Sequence, residues 1–505
     1  METFQLLMSG FATALSVQNF LAAAAGAFLG ILVGAMPGIG SLAGVALLLP
    51  LTFSFNPITG MIMLSAIYYA NMYGGSYSAI LINIPGDTPA VMTGLDGHPL
   101  AKQGLPGKAL FTSNISSFIG GTIGIIILTV IGPGLARFGL RFGPPEMAAL
   151  LMVAMTSLGW LLGSSPTKGL VATLIGMVFA TIGFDAVIGT PRYHFGSLYL
   201  LGGIPFIPLV IGIFGFSQVL EMMELRNTPR AFDTDKLTLR ESLLSRGEVR
   251  RILPASIRSS FLGTIIGVLP GAGATTGAFL SYMQEKRIGR NGHLLGTGRI
   301  EGVAAAEAGN NSAAAGAFAP LLSLGIPGSG TGAVLLGGLL MYGLNPGPLL
   351  FQNQPEFTWG LIASLYVANI ITLIVALAII PWLIKILKVP VKVMIPIITV
   401  ICVMGSYSAG NSLYGIVIML LAGVFGFILK KYDYPIAPLL LAYVLAPTLE
   451  KNFRQAIQIS DGTIWIFFQR PIAAVLIGFL LITVVSPLIR MVIGKIKTNR
   501  KGENL

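Results

Sequence analysis

The stretch that decides the fold is Gly34-Ala35-Met36-Pro37-Gly38-Ile39-Gly40, a Pro-Gly sequence within a strongly apolar segment. Proline removes a backbone N–H and glycine loosens the chain, so the stretch should break a helix and leave backbone polar groups without partners. Lipid cannot satisfy those groups, so such a break persists only where it lines a protein-enclosed or watery cavity. The stretch therefore predicts a broken membrane helix at a functional position.

This signature occurs a second time, as Leu269-Pro270-Gly271-Ala272-Gly273, and each copy is followed by another Pro-Gly sequence. The followers are Asn83-Ile84-Pro85-Gly86 and Gly325-Ile326-Pro327-Gly328. The first signatures align at a spacing of 233 residues and the followers at 242, which indicates two homologous halves. Matched breaks in two halves are the best sequence indication of the binding site of a secondary transporter. We favour inverted repeats, while the residues alone leave parallel repeats open.

Composition places the chain in the membrane. Its 505 residues are 54% hydrophobic and only 10% charged, whereas about a quarter of the residues of a soluble domain are charged. Mean hydropathy is +0.82. At about 20 residues per span, the apolar runs predict an all-α polytopic protein with about twelve transmembrane helices plus re-entrant or broken helices. The first residues lack the basic region of a cleavable signal peptide, so none is expected.

The net charge of +12 does not indicate a nucleic-acid partner, because the basic residues fall in short connections between apolar runs. We predict a first transmembrane repeat over 1–220, a charged cytosolic linker over 221–258 and a second repeat over 259–490. A basic cytoplasmic tail follows over 491–505. Cys402 is the only cysteine, which excludes an intrachain disulfide and a cysteine metal site.

The four Pro-Gly tips are the candidate substrate site. A helix that starts at such a break points its free N–H groups into the gap, where they favour an anion, and short hydroxyl and amide side chains next to the breaks suit a carboxylate. Asp87 would repel an anion, so we expect it to cap a helix or bind a cation. The predicted substrate-binding residues are Pro37, Gly38, Gly40, Ser41, Asn83, Pro85, Gly86, Thr88, Pro270, Gly271, Gly273, Thr275, Pro327, Gly328, Ser329 and Thr331. The simpler alternative for each tip is a kink or an interhelical turn.

A second set of polar residues lies in otherwise small and apolar sequence and forms a candidate Na⁺ site. Carboxylate and amide oxygens bind hard cations, and an ionisable group at membrane depth indicates function. The set comprises Asn71, Ser76, Glu307, Asn310 and Asn311. The alternative for Glu307 is a structural position at the membrane interface. Outside these two sets, Asp185 and Arg192 are expected to form an interfacial ion pair.

Enzyme chemistry has little support in the sequence. The three histidines are scattered and no phosphate-binding G-x-x-x-x-G-K-[ST] loop is present. A membrane-embedded enzyme would have to use Glu307 and Asp185, which form no convincing acid–base pair. A passive anion channel or a structural membrane subunit is the alternative to a carrier, since closely spaced glycines also serve helix packing.

These motifs resemble the large permease subunit of the bacterial tripartite tricarboxylate transporters. The resemblance covers about 30–450. It is carried by Gly34-x-x-Pro37-Gly38-x-Gly40, Tyr73-Gly74-Gly75-Ser76, Asn83-Ile84-Pro85-Gly86, Leu95-Asp96-Gly97-His98-Pro99, Leu269-Pro270-Gly271-Ala272-Gly273, Glu307 with Asn310-Asn311, and Gly325-Ile326-Pro327-Gly328. The chain departs from the family pattern at Ala306, where proline is common, and at Asp87-Thr88, an unusual start to this tip. The departures bear on substrate choice.

The resemblance implies a secondary carrier in the bacterial inner membrane that takes up a di- or tricarboxylate. It also implies two partners, a small membrane subunit with about four spans and a periplasmic solute-binding protein. The expected coupling ion is Na⁺, with H⁺ as the alternative, and no covalent cofactor is expected. From the paired breaks we further expect an elevator-type movement of the broken-helix core.

Overall fold

The protein is helical along nearly all of the chain for which the computed structural model describes a conformation, namely residues 2–36, 38–161, 166–185, 187–224, 242–383 and 390–482. Within these ranges the β-structure is one antiparallel pair of two-residue strands, in which Gly183 pairs with Arg192 and Phe184 with Pro191. The predicted all-α class is therefore confirmed. The basic tail, Pro37 and residues 225–241 of the linker lie outside the described residues.

The helices are numbered in chain order. Those of the first half are α1 Glu2–Ala14, α2 Val17–Ala35, α3 Gly40–Leu48, α4 Pro57–Ile82, α5 Ala90–Lys102, α6 Pro106–Gly139, α7 Pro144–Leu161, α8 Pro166–Ala180 and α9 Phe206–Glu224. The strands β1 Gly183–Phe184 and β2 Pro191–Arg192 lie between α8 and α9. A π-helical stretch, Ile211–Phe216, interrupts α9.

The helices of the second half follow. They are α10 Arg246–Val268, α11 Gly273–Ile288, α12 Ile300–Gly316, α13 Phe318–Leu324, α14 Gly330–Met341, α15 Leu350–Asn353, α16 Pro355–Ile379, α17 Val391–Ser408, α18 Leu413–Lys431, α19 Ile436–Ile459, α20 Ile466–Gln469 and α21 Pro471–Ile482. Helix α10 begins inside the segment predicted as a linker, where the Ser245 hydroxyl and the Glu248 carboxylate form a capping box.

Five helical stretches among the described residues are long and apolar enough to cross a membrane. They are Val17–Ala35, Pro106–Gly139, Phe206–Glu224, Pro355–Trp382 and Leu413–Lys431. Several other apolar helices are shorter, because Pro and Gly divide what would otherwise be continuous spans. The protein is thus a multi-pass membrane protein, and the count of twelve spans stays a prediction.

Two helices, α4 and α12, form the centre of the broken-helix region. Every residue of α12 is buried, as is every residue of α4 from Thr59 to Leu81. A helix buried on all sides is packed by other helices around its whole circumference. The polar residues of these two helices therefore lie inside protein and not against lipid.

Glycines bring neighbouring helices into backbone contact with these central helices. Gly30 of α2 lies against the carbonyl of Ile67 in α4, and Gly263 of α10 lies in the same way against the carbonyl of Gly309 in α12. The two contacts are related by the spacings of 233 and 242 residues found in the sequence. The same relation links the contact of Gly34 with the Asn71 carbonyl to that of Gly267 with the Ala313 carbonyl. Small residues at such crossings allow close approach within a membrane.

The chain divides into two compact units, each with residues from both predicted halves. The first comprises Met1–Gly139 and Ile204–Ile436, and it contains all four Pro-Gly tips. The second comprises Leu140–Gly203 and Ala437–Leu505. Its hydrophobic core includes Ala149, Ala456 and Phe467.

Candidate functional site

The described residues of the first tip, on both sides of Pro37, have the same backbone conformation as their equivalents in the second half. Helix α2 ends before Met36 and helix α10 before Leu269, and both of these residues are extended, with ψ angles of 118° and 124°. Two glycines with positive φ follow in each case, at 85° and 68° in the first half and at 86° and 61° in the second. These are Gly38 and Gly40, and Gly271 and Gly273. Glycine adopts this left-handed region without steric cost, so the glycines determine the turn.

The second tip is also alike in the two halves. Helix α4 is followed by Asn83, with φ 57° and ψ 27°, and α13 is followed by Gly325, with φ 71° and ψ 23°. Asparagine and glycine are the residues that tolerate this left-handed helix end. After Pro327-Gly328 in the second half, the Ser329 hydroxyl accepts a hydrogen bond from the N–H of Gly332 at 3.1 Å and caps α14.

Within each half the first and second tips touch. The N–H of Gly271 donates to the carbonyl of Gly328 at 3.2 Å. In the first half, the N–H of Ser41 donates to the Asp87 carboxylate at 3.1 Å. Asp87 also accepts the N–H of Thr88 at 2.8 Å. The Asp87 carboxylate therefore accepts the N–H of the second residue of α3 from outside that helix.

The two halves meet at Ser41 and Thr331, whose hydroxyl oxygens lie 3.1 Å apart and are buried. The Tyr68 hydroxyl of α4 interacts with the Ser329 side chain, and the Asp87 carboxylate lies near it. Three of the four tips thus contribute to one polar cluster. The cluster offers hydroxyl groups and backbone N–H groups, which suit a carboxylate.

The remaining predicted substrate residues differ in placement. Gly86 and Gly328 form tip–tip contacts, whereas Asn83 and Thr88 are exposed. Pro327 is buried, and Pro85, Pro270 and Thr275 are half-buried. For all of the predicted substrate residues, direct contact with the substrate stays a prediction.

The five predicted Na⁺ ligands divide into satisfied and unsatisfied groups. The Ser76 hydroxyl donates a hydrogen bond to the Tyr73 carbonyl at 2.8 Å and shares another with the Ser113 hydroxyl at 2.7 Å. Glu307 is fully buried and accepts hydrogen bonds from Thr93 and, at 2.8 Å, from Ser117.

By contrast, the other three of these five predicted ligands, Asn71, Asn310 and Asn311, are buried amides whose oxygens have no hydrogen-bond partner. Their oxygens are the candidates for contact with an ion. The described part of the chain contains no group of three or more His, Cys, Asp or Glu residues that could hold a metal.

Sequence reasoning missed Gln218 of α9. The Gln218 side-chain nitrogen lies beside Gly38, 3.2 Å from where a Cβ of that glycine would stand. Its oxygen accepts a hydrogen bond from Lys430 of α18 at 2.9 Å. A lysine at a helix end is typical of an ordinary cytoplasmic positive charge. The local sequence around Lys430 therefore did not indicate that its partner Gln218 contacts Gly38.

The second compact unit contains the predicted Asp185–Arg192 ion pair, at 3.3 Å. Arg192 also pairs with Glu450 at 2.8 Å, and Arg454 pairs with Asp185 at 3.0 Å. Hydrogen bonds from the N–H groups of Ile188 and Val187, together with the two arginines, lower the pKa of Asp185. This network fastens the β-hairpin to α19.

Broken helices that meet in a polar cluster within a multi-pass membrane protein define a membrane transport protein. The chain belongs to the tripartite tricarboxylate transporter TctA family, whose model matches residues 20–441. The family is a transporter family and not an enzyme family. Its members are the large subunits of tripartite systems that work with a small subunit and a periplasmic binding protein.

Two relatives come from Agrobacterium vitis. The "uncharacterized 52.8 kDa protein in TAR-I ttuC' 3'region" is 38% identical over 495 residues, which cover 98% of this chain and 98% of the relative. The "uncharacterized protein in TAR-II ttuC' 3'region" is 38% identical over 233 residues, which cover 46% of this chain and 96% of the relative. No solved structure matches the chain.

Proposed function

We propose that this chain is the large permease of a binding-protein-dependent system that takes up a small di- or tricarboxylate across the bacterial inner membrane, driven by an ion gradient. The observation that carries the proposal is the buried contact of Ser41 with Thr331, at 3.1 Å. It joins a tip of each half in one cluster of hydroxyl groups. Family membership supports the transport role and the carboxylate class.

The arrangement of the tips supports carboxylate binding. Helix α3 begins at Gly40 and helix α14 at Gly330, and the first N–H groups of a helix have no partner within it. The N–H of Ser41 donates to Asp87 and that of Gly332 to Ser329, so it is the other N–H groups of these first turns that, together with the hydroxyl groups of Ser41 and Thr331, can hold carboxylate oxygens without a basic side chain.

We further propose that the two halves are inverted repeats and that the broken-helix core moves in an elevator-type cycle. The agreement of the tips in φ and of the glycine contacts in position supports two equivalent halves, and we choose the inverted orientation because it would place the paired broken helices at a common midplane. Direct tests are the opposite accessibility of equivalent positions from the two sides of the membrane, and a change of that accessibility when substrate is added.

The proposed partners are a small four-helix membrane subunit and a periplasmic solute-binding protein, and membrane lipid surrounds the complex. The proposed coupling ion is Na⁺, with H⁺ as the alternative. Asn310 and Asn311 stay candidate ligands because of their unpartnered oxygens, and Glu307 because of its burial.

The test is uptake of labelled carboxylates into liposomes that contain the chain and both partners, under an imposed Na⁺ or pH gradient. Uphill accumulation under one gradient establishes a carrier and identifies its ion. Ser41→Ala and Thr331→Val should reduce uptake, whereas Ser54→Ala, on an exposed residue outside the tips, should not. Uptake that only equilibrates under every gradient would contradict the proposal and indicate a passive channel.

A further inference from the structure

Asn71 is the most conspicuous unsatisfied side chain of the first half. It is fully buried in α4, and neither its amide oxygen nor its amide nitrogen has a hydrogen-bond partner. The amide lies against α3, because a Cβ on Gly44 would stand 2.9 Å from the Asn71 nitrogen. A buried amide without a partner is unfavourable, so the position needs a reason other than stability.

The Asp87 carboxylate borders the same groove between α3 and α4. A Cβ on Gly40, one turn before Gly44, would stand 3.2 Å from a carboxylate oxygen of Asp87. A Cβ on Gly75, one turn after Asn71, would stand 3.1 Å from the Asp87 Cβ. Residues four apart on a helix share a face, so Asp87 and Asn71 lie about one helical turn apart along the groove.

Asp87 has no ion-pair partner among the described residues. The Asp87 carboxylate accepts hydrogen bonds from the N–H groups of Ser41 and Thr88 and from the Ser41 hydroxyl. An unpaired negative charge at tips that bind an anion would repel that anion. A cation next to Asp87 would remove the repulsion.

Backbone carbonyl oxygens at the end of α2 supply further candidate ligands for this cation. Helix α2 ends at Ala35, so the carbonyls of its last turn have no partner within the helix. Gly34 in that turn packs against Asn71, and its carbonyl oxygen faces Gly86. One carboxylate with neutral amide and carbonyl oxygens is a hard-ligand set with a single negative charge, which suits Na⁺ better than a divalent ion.

We propose that Asn71 and Asp87, with carbonyls at the end of α2, bind one Na⁺, and that the second half has no equivalent site. At the equivalent positions, by the spacing of 242, the second half has Ala313 and Ser329, which supply neither an amide nor a carboxylate. The inference rests on the proposed function, of which it specifies the ion site. It assigns Asn71 to an ion site that does not include Glu307, Asn310 or Asn311, with which the sequence analysis had grouped it.

This position would couple the ion to the substrate. Asp87 holds the N–H of Ser41, whose hydroxyl reaches Thr331 of the other half. Na⁺ at Asp87 therefore places positive charge next to the proposed carboxylate site and raises affinity for the carboxylate. By linkage, the carboxylate raises Na⁺ affinity by the same factor.

The experiment measures Na⁺ binding to the full-length chain in detergent, through thermal unfolding in NaCl against choline chloride at equal ionic strength. Cys402 is buried and is the only cysteine, so a thiol-reactive fluorescent maleimide reports unfolding. Ligand that binds only the folded state raises the midpoint with concentration. Asp87→Asn and Asn71→Leu should weaken apparent Na⁺ affinity at least about tenfold.

Ser329→Ala is the matched control at the position equivalent to Asp87. It removes a helix cap and lowers the midpoint, but the rise caused by Na⁺ should remain. Asn71→Leu removes two unpartnered atoms, so its midpoint without Na⁺ should not fall, while the rise of the midpoint should need Na⁺ concentrations at least about tenfold higher. This pattern distinguishes a weakened ion site from general damage.

The proposal is overturned if the wild type shows no Na⁺-specific rise, if both variants keep it at the wild-type Na⁺ concentrations, or if Ser329→Ala loses it equally. These outcomes are independent of transport. A Na⁺-specific rise that requires Asn71 and Asp87 supports the site even if liposomes show no carboxylate uptake, a result that would contradict only the proposed function.

Discussion

The close contact between the two tips of each half can be tested with one methyl group. Gly86 and Gly328 occupy equivalent positions, and neither has a positive φ, so alanine is opposed by sterics and not by backbone strain. The surroundings differ, however. We therefore expect Gly86→Ala to be clearly more destabilising than Gly328→Ala, although the sequence gives the two glycines the same context.

The magnitude follows from the distances. A Cβ on Gly86 would overlap the carbonyl oxygen of Gly34 and stand 3.0 Å from the Cα of Gly75. A Cβ on Gly328 would stand 2.9 Å from the carbonyl oxygen of Gly267. A relaxed carbon–oxygen contact is about 3.3–3.6 Å. The two tips of the first half must therefore separate by roughly 1 Å or more, and those of the second half by roughly half an ångström. Overpacking costs about 1–3 kcal/mol, so we expect at least about 3 kcal/mol for Gly86→Ala and about 1 kcal/mol for Gly328→Ala.

The assay is thermal unfolding followed through the thiol of Cys402. Gly134→Ala is the matched control, because Gly134 lies in α6 with open space where a Cβ would stand, and Gly→Ala in an exposed helix is neutral or stabilising. The expected order of midpoints is Gly134→Ala at or above wild type, then Gly328→Ala, then Gly86→Ala. An unchanged midpoint for Gly86→Ala, or a lower one for Gly328→Ala than for Gly86→Ala, would refute the reasoning.

Three further predictions follow from named contacts. Thr331→Val keeps the size of the side chain but removes the hydroxyl next to Ser41, so carboxylate uptake should fall about tenfold, and Thr331→Ser should restore it; equal uptake in both variants would contradict the site. Tyr73→Phe leaves the buried Asn369 oxygen without its donor at 2.9 Å and should cost about 1–3 kcal/mol of unfolding free energy, seen as a lower unfolding midpoint; an unchanged midpoint would speak against this bond. Because the folded pKa of Asp185 is lowered, its contribution to stability is present above about pH 4 and is lost as pH falls through the folded pKa, so the protection factors of the hairpin amides, measured relative to the intrinsic exchange rate at each pH, should fall in acid, and Asp185→Asn should abolish this dependence.

The positions of the helix breaks could be predicted because they depend on local chemistry. The Pro-Gly sequences at 37–38 and 270–271 are each followed by a second glycine two residues later, and this combination favours a break, whereas Pro133-Gly134, without that second glycine, lies within the continuous helix α6. Helices α2 and α10 do stop before the two breaks, at Ala35 and Val268. The Asp185–Arg192 pair was predictable for a related reason, since the two residues lie seven apart on either side of a short turn. Glu450 and Arg454, which complete that network, lie far away in sequence and gave no signal.

The candidate ion ligands show where prediction from sequence stops. Polarity within apolar sequence selected Asn71 and Ser76 equally, yet Ser76 is satisfied by Tyr73 and Ser113 and Asn71 has no partner. Whether a buried polar group is paired depends on the neighbouring helices. The sequence does not state which helices those are.

The sequence by itself determined a multi-pass helical membrane protein with four broken helices in two matched pairs, because burial in lipid and the backbone limits of Pro and Gly act residue by residue. Only the tertiary structure decided which polar groups meet. Ser41 reaches Thr331 across 290 residues, and Gln218 of α9 reaches Gly38. Such contacts arise from helix packing through glycine faces, which sets positions in space independently of distance along the chain.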